Sequence, residues 1–262
     1  MPIILPTQAN IPPNDLGAYT ILVHGQKKIG KTSFAAEFPD SFIMQFEPGN
    51  SRALPVKQVD IPNWKECLDI IYLLETNKTY CKTLIIDDVP SMYLYCQVFT
   101  CAKHSIMYPG DMSQGKGWSL VNTEFNIAIT KLQNLSCGKI YTAHSQIRQA
   151  DTRTGRSVAT LETAMGAGCD RCMDAKVQIG VLLAYNKAKE RIAIIQGDEY
   201  IVKAGQGIPN RFLDTQGNQL REIPMGKTAK EAYNNFVLAF NNNLENKQVV
   251  NPAKKFVLKK ST

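Results

Sequence analysis

The chain has 262 residues, 44% of them hydrophobic and 20% charged, with a formal net charge of +7. That length suits one large α/β domain or two small ones, and the composition excludes a globally disordered chain. No run of about eighteen apolar residues occurs, so no membrane partner or span is expected. Met1-Pro2-Ile3-Ile4-Leu5-Pro6 lacks the basic region and the apolar run of a signal peptide. Seven cysteines, an odd number scattered through the chain, fit reduced thiols and a cytoplasmic location better than a disulfide framework.

In chain order, residues 1–17 carry four prolines and read as an extended arm. Tyr19 to Val23 reads as a buried strand and Thr32 to Phe38 as a short helix. Between them, Gly25-Gln26-Lys27-Lys28-Ile29-Gly30-Lys31-Thr32 fits G-x-x-x-x-G-K-[ST], the phosphate-cradling loop of P-loop NTPases. Gly25 and Gly30 permit the tight turn, and the backbone N–H groups from there to Ser33 can face phosphate oxygens. Lys31 can reach the β- and γ-phosphates, and Thr32 can ligate Mg²⁺.

Ser41 to Phe46 reads as a second strand, ending at Glu47-Pro48-Gly49. Val56 to Ile61 reads as a third and Trp64 to Glu75 as a helix. Thr83-Leu84-Ile85-Ile86-Asp87-Asp88 is an apolar run ending in two acids, the pattern of a central parallel strand. Asp87, at its C-terminal end, suits the Walker B carboxylate near Mg²⁺. Asp88 is a second acid at the site or the N-cap of a helix over Pro90–Lys103. Met107–Trp118 reads as a loop, Ser119–Leu135 as a helix and Lys139–Ala143 as a strand that ends in His144-Ser145-Gln146-Ile147-Arg148.

Gln146 to about Ser157 is strongly polar and basic, with Arg148, Arg153 and Arg156, and Leu161–Cys172 reads as helical. Lys176–Tyr185 and Glu190–Gln196 read as a β-hairpin, with Glu199–Lys203 extending the sheet. Thr228–Leu244 reads as an amphipathic helix, and residues 246–262 as a basic tail. The fold class expected is α/β: a mostly parallel sheet flanked by helices, with hairpin strands toward the C-terminus. The organisation expected is an arm (1–17), a core (18–215), a helical segment (216–245) and the tail.

Two residues compete to orient or deprotonate the attacking water. Asp88 does so in an AAA+-like arrangement. Glu47 does so in a RecA-like one, where the glutamate follows the strand next to the P-loop strand. His144 or Gln146, at the tip of the Lys139–Ala143 strand, can sense the γ-phosphate.

With the P-loop and its Lys28, Glu47, Asp87, Gly117-Trp118 and His144–Arg148 in this order, residues 18–215 resemble a RecA-fold ATPase. More narrowly, the chain is similar to the short phage ATPases of the single-strand annealing and recombination group. The resemblance implies ATP and Mg²⁺ as cofactors, Lys31, Glu47, Asp87, His144 and Gln146 as catalytic groups, and single-stranded DNA as partner. A homo-oligomer on DNA and a single-strand-binding protein are further partners it implies. Two DNA-facing loops then correspond to Met107–Trp118, with Lys116 and Trp118, and to Gln149–Gly168, which with the adjoining Arg148 holds Arg153 and Arg156. Trp118 stacks on a base or anchors its helix in the core. Lys203 and Arg211 are candidates to complete a neighbour's ATP site, a role that can raise turnover by about 10³–10⁵. The chain departs from RecA in having no recognisable N-terminal polymerisation module and no large C-terminal domain.

A helicase, helicase loader or packaging motor on a related fold is the first rival. A P-loop small-molecule kinase is the second. Cys169-Asp170-Arg171-Cys172 has C-x₂-C spacing, and with Cys96, Cys101 and His104 it leaves zinc as a minor alternative.

Overall fold

The computed structural model describes residues 11–47, 51–151, 157–198, 200–201 and 203–244. The N-terminal arm up to Asn10, the basic tail, and the candidate DNA residues Arg153 and Arg156 lie outside them.

The strands are β1 (Thr20–Gly25), β2 (Ser41–Gln45), β3 (Lys57–Asp60), β4 (Thr83–Asp87), β5 (Gly138–Asp151), β6 (Ser157–Thr163), β7 (Ile179–Tyr185), β8 (Arg191–Ile194), β9 (Gly205–Gln206) and β10 (Glu222–Pro224). The helices are α1 (Lys31–Ala36), α2 (Trp64–Thr76), α3 (Val89–Lys103), α4 (Lys116–Gln133), α5 (Ala167–Asp174) and α6 (Ala229–Phe240). The sheet order is β10-β8-β7-β1-β5-β4-β2-β3. From β7 to β3 every neighbouring pair is parallel, and β8 and β10 add on antiparallel. The α/β class expected from the sequence is the observed architecture.

β1, β2 and β4 are buried throughout and mostly apolar because helices cover both faces of the sheet. Leu84 and Ile86 of β4, with Phe42 and Met44 of β2, enter the core that contains Trp64, Met92, Phe125 and Cys169. Ile85 and Ile43 point the other way, into the core shared with Phe34 of α1 and Phe236 and Phe240 of α6. The stretch 216–245, read as a helical segment, also supplies β10, and α6 packs edge-on against α1 through Phe236 and Phe34. It is therefore part of the same layered unit.

Three expectations are corrected. The loop expected over Gln149–Gly168 is strand at both described flanks: β5 runs on to Asp151 and pairs antiparallel with β6, from Ser145 opposite Thr163 to Asp151 opposite Ser157. Leu161–Thr163 therefore belongs to a strand, and the helix expected over Leu161–Cys172 begins only at Ala167. The supposed loop Met107–Trp118 holds two 3₁₀ turns, Pro109–Asp111 and Ser113–Gly115, and α4 starts at Lys116.

Gly117 explains that early start. A β-carbon there would sit 2.1 Å from the Pro109 carbonyl oxygen, so only glycine lets α4 pass under the turn. Gly117→Ala is expected to destabilise the fold by about 1–3 kcal/mol through overpacking. At about 2–4 °C per kcal/mol for a chain of this size, thermal unfolding would register it, and an unchanged Tm would refute this account of the turn.

Candidate nucleotide site

The P-loop joins β1 to α1. Gly30 caps α1 at φ 101°, a left-handed conformation that favours glycine. Gly25 has no room for a side chain, since a β-carbon would lie 2.7 Å from the Leu183 carbonyl oxygen of β7. Lys28 stands exposed at the loop's tip with φ 65°, and Ser33 is half-buried on α1.

Lys31 is buried, and its ammonium donates to the carbonyls of Gly25 and Gln26 and to His144 Nδ1, each at 3.2 Å. Burial lowers its pKa, while the carboxylates of Asp87, Asp88 and Glu47 oppose that shift. An ammonium only donates, so Nδ1 of His144 accepts and Nε2 carries the proton. That nitrogen stands 3.4 Å from Glu47 Oε2 and turns its proton toward it. The register places His144 opposite Gly25, which is why the two meet.

Asp87 ends β4 beneath the loop. Thr32 Oγ1 donates to its Oδ2 at 2.8 Å, and Thr142 donates to its Oδ1. The Gln45 side chain donates to the Asp87 carbonyl at 3.2 Å and to the Glu47 carbonyl at 2.6 Å, tying the ends of β2 and β4 together. A hydroxyl and a carboxylate beside a phosphate cradle are hard oxygen donors suited to Mg²⁺. The residues present thus fit that ion.

Asp88 caps α3, its Oδ1 accepting from Ser91 N–H at 3.0 Å, and burial raises its pKa. Its ligand atom, with those of Glu47 and His144, falls in a group within 4.8 Å of one another. Two carboxylates and an imidazole can hold a divalent ion, but the Lys31 ammonium on the same imidazole opposes a second cation.

Glu47 and Asp87 are thus brought together with Lys31, Thr32 and His144. Gln146 is not, because its side chain donates to the Thr163 carbonyl at 3.2 Å and belongs to the β5–β6 hairpin. β2 follows β1 in the chain but does not adjoin it, since β5 and β4 lie between. Glu47 reaches the site across the strand ends instead.

Of the candidate DNA residues, Lys116 is exposed, and Trp118 is half-buried and edge-on to Tyr108 at 5.4 Å. Arg148 pairs with Glu162 across the hairpin at 2.6 Å. Both candidates for action in trans are engaged within the chain. Lys203 pairs with Asp170 at 3.1 Å and with Asp174, and Arg211 bonds to Asn14 and stacks on Phe240 at 4.6 Å. Among the described residues no three of Cys96, Cys101, His104, Cys169 and Cys172 form a metal-ligand group, and burial pushes the thiols of Cys96, Cys169 and Cys172 up.

Thr142, Gln45 and His24 were not singled out from the sequence. Thr142 had a signal, because it lies two residues before His144 on one strand and so faces the same way. His24, before the P-loop, is buried against Ser145 at 2.9 Å, and burial lowers its pKa to about 4.

This arrangement defines a P-loop nucleoside-triphosphatase. Residues 18–220 match the family described as the AAA domain. The chain belongs to that family, and its activity is the nucleotide hydrolysis of an AAA-type ATPase. No curated protein matches the sequence. A solved structure, the KaiC-like protein PH0186 from the hyperthermophilic archaeon Pyrococcus horikoshii OT3, is similar at 14% identity and a TM-score of 0.45, over 82% of this chain and 88% of that one. No helix among the described residues is long and apolar enough to cross a membrane.

Proposed function

We propose that the chain is an ATP- and Mg²⁺-dependent hydrolase that acts on single-stranded DNA in recombination, as a strand-annealing protein. One observation carries the step from nucleotide to nucleic acid. β5 bears His144, bonded to Lys31, and the same strand continues directly into the hairpin with Arg148. In the sequence Arg153 and Arg156 follow between β5 and β6.

In this reading Lys31 turns from His144 to the β- and γ-phosphates when ATP arrives. The released imidazole then senses the γ-phosphate and passes its presence along β5. Thr32 and Asp87 would hold Mg²⁺, which neutralises charge on the phosphates when bound. Glu47, one third exposed at its side chain, takes the proton of the attacking water. Asp88 is less suited to that task, being buried and committed to its helix cap. A homo-oligomer on DNA and a single-strand-binding protein partner belong to the same proposal.

Replacing Arg148, Arg153 and Arg156 together by alanine is expected to weaken oligonucleotide binding. It should also flatten the slope of log affinity against log salt by about two, as loss of three phosphate contacts to a single strand predicts. ATPase rate with and without single-stranded DNA reports the coupling. An unchanged affinity and slope would remove the hairpin from the interface.

A further inference from the structure

Arg191 opens β8, two strands from β1 on the side away from Asp87 and His144. Its guanidinium stands against the P-loop, where a β-carbon on Gly30 would lie 2.9 Å from Nη1. Nη2 donates to the Gly226 carbonyl at 3.2 Å, and the Arg191 carbonyl accepts from Met225 N–H at 2.9 Å. The residue is thus held by both its side chain and its backbone. Among the described residues no ion pair involves it. The neighbouring Glu231 makes no ion pair with it, although its carboxylate feels the Arg191 charge, and accepts from the N–H groups of Lys227 and Thr228. A guanidinium has five donors in a fixed fork suited to phosphate. Here one is taken by a carbonyl and none by a carboxylate.

The sheet order sets which phosphate it meets. Asp87 on β4, His144 on β5 and Glu47 after β2 all lie to one side of β1, so they mark the γ-phosphate end. A triphosphate laid along the loop with its γ end there has its α end toward β7 and β8. Gly30 and Arg191 share a small pocket on that side with the apolar side chains of Phe34, Ile192 and Met225.

We infer that Arg191 is a nucleotide-binding residue that pairs with the α-phosphate of the bound nucleotide, clamping it from the β8 side. The inference rests on the P-loop as the nucleotide site and is independent of any action on DNA. Because the α-phosphate is common to ATP and ADP, the contact strengthens both complexes equally.

Equilibrium titration of the full chain with fluorescent ADP and with a slowly hydrolysed ATP analogue, in Mg²⁺, tests it on Arg191→Ala and Arg191→Lys. Loss of a charge-assisted phosphate contact is expected to raise Kd about 10- to 100-fold for both nucleotides in Arg191→Ala. Arg191→Lys, which keeps the charge and most of the stem, should fall between it and the wild type. It keeps the test readable if the alanine variant does not fold. Unchanged Kd values in both variants would overturn the inference, and so would a loss confined to the ATP analogue, which would place Arg191 at the γ-phosphate. Failure of the wild type to bind either nucleotide would instead remove the P-loop site itself.

Discussion

Glu47→Gln is expected to bind ATP as the wild type does and to turn it over about 10²–10⁴ times more slowly. The amide keeps the size of the carboxylate and can still accept from His144 Nε2, so the contact at 3.4 Å has a substitute. What it loses is the capacity to take a proton. The neighbouring acid provides the control. Asp88→Asn keeps a good N-cap for α3, because asparagine also accepts from Ser91 N–H. It removes a carboxyl whose pKa burial already raises. A single-turnover assay with matched nucleotide titrations separates the two. If Asp88→Asn stopped turnover and Glu47→Gln did not, the base would be Asp88, as in the AAA+-like arrangement.

The parts of this site legible in the sequence were those carried by local pattern. The P-loop octapeptide is a contiguous backbone device, so its residues could be placed without knowing the sheet. The run Thr83–Ile86 was legible because burial on both faces removes polar residues from the strand, and Asp87 then marks where it ends. The hairpin formed by β5 and β6 was not legible. Beyond His144 the strand leaves the sheet, pairs only with β6 and carries Gln146, Arg148 and Gln149, so no apolar alternation announces it. Contacts set by sheet order were equally hidden. β5 is inserted between β1 and β4, which brings Thr142 to Asp87 and His144 to Lys31 across more than a hundred residues of chain in the second case. Arg191 had no signal at all, since its place beside Gly30 follows from β7 and β8 lying on the far side of β1.

Lys31→Met is expected to abolish detectable nucleotide binding and, in the same protein, to raise the Tm of the unliganded chain. The first effect follows from losing the buried lysine of the P-loop itself, a charge-assisted contact whose loss with its Coulomb attraction amounts to about 10²-fold or more in Kd. The second follows from what Lys31 does before nucleotide arrives. It is held charged in a site that desolvates it, and its folded pKa lies below the ordinary lysine value. A lowered folded pKa means that charging this group disfavours the folded state. The penalty is fully present below the folded pKa and disappears as pH rises through it toward the unfolded value. Methionine matches the stem and carries no charge, so a higher Tm at neutral pH is expected, reduced by the cost of leaving His144 Nδ1 without its donor. The gain over wild type should narrow as the pH is raised toward the ordinary lysine pKa, because the wild type then sheds the same proton on folding. A variant less stable than wild type at neutral pH would mean that the three hydrogen bonds to Gly25, Gln26 and His144 outweigh desolvation. The P-loop would then be held in shape by its lysine. The expected result places the opposite load on the fold: a cation kept out of water so that a phosphate chain can reach it.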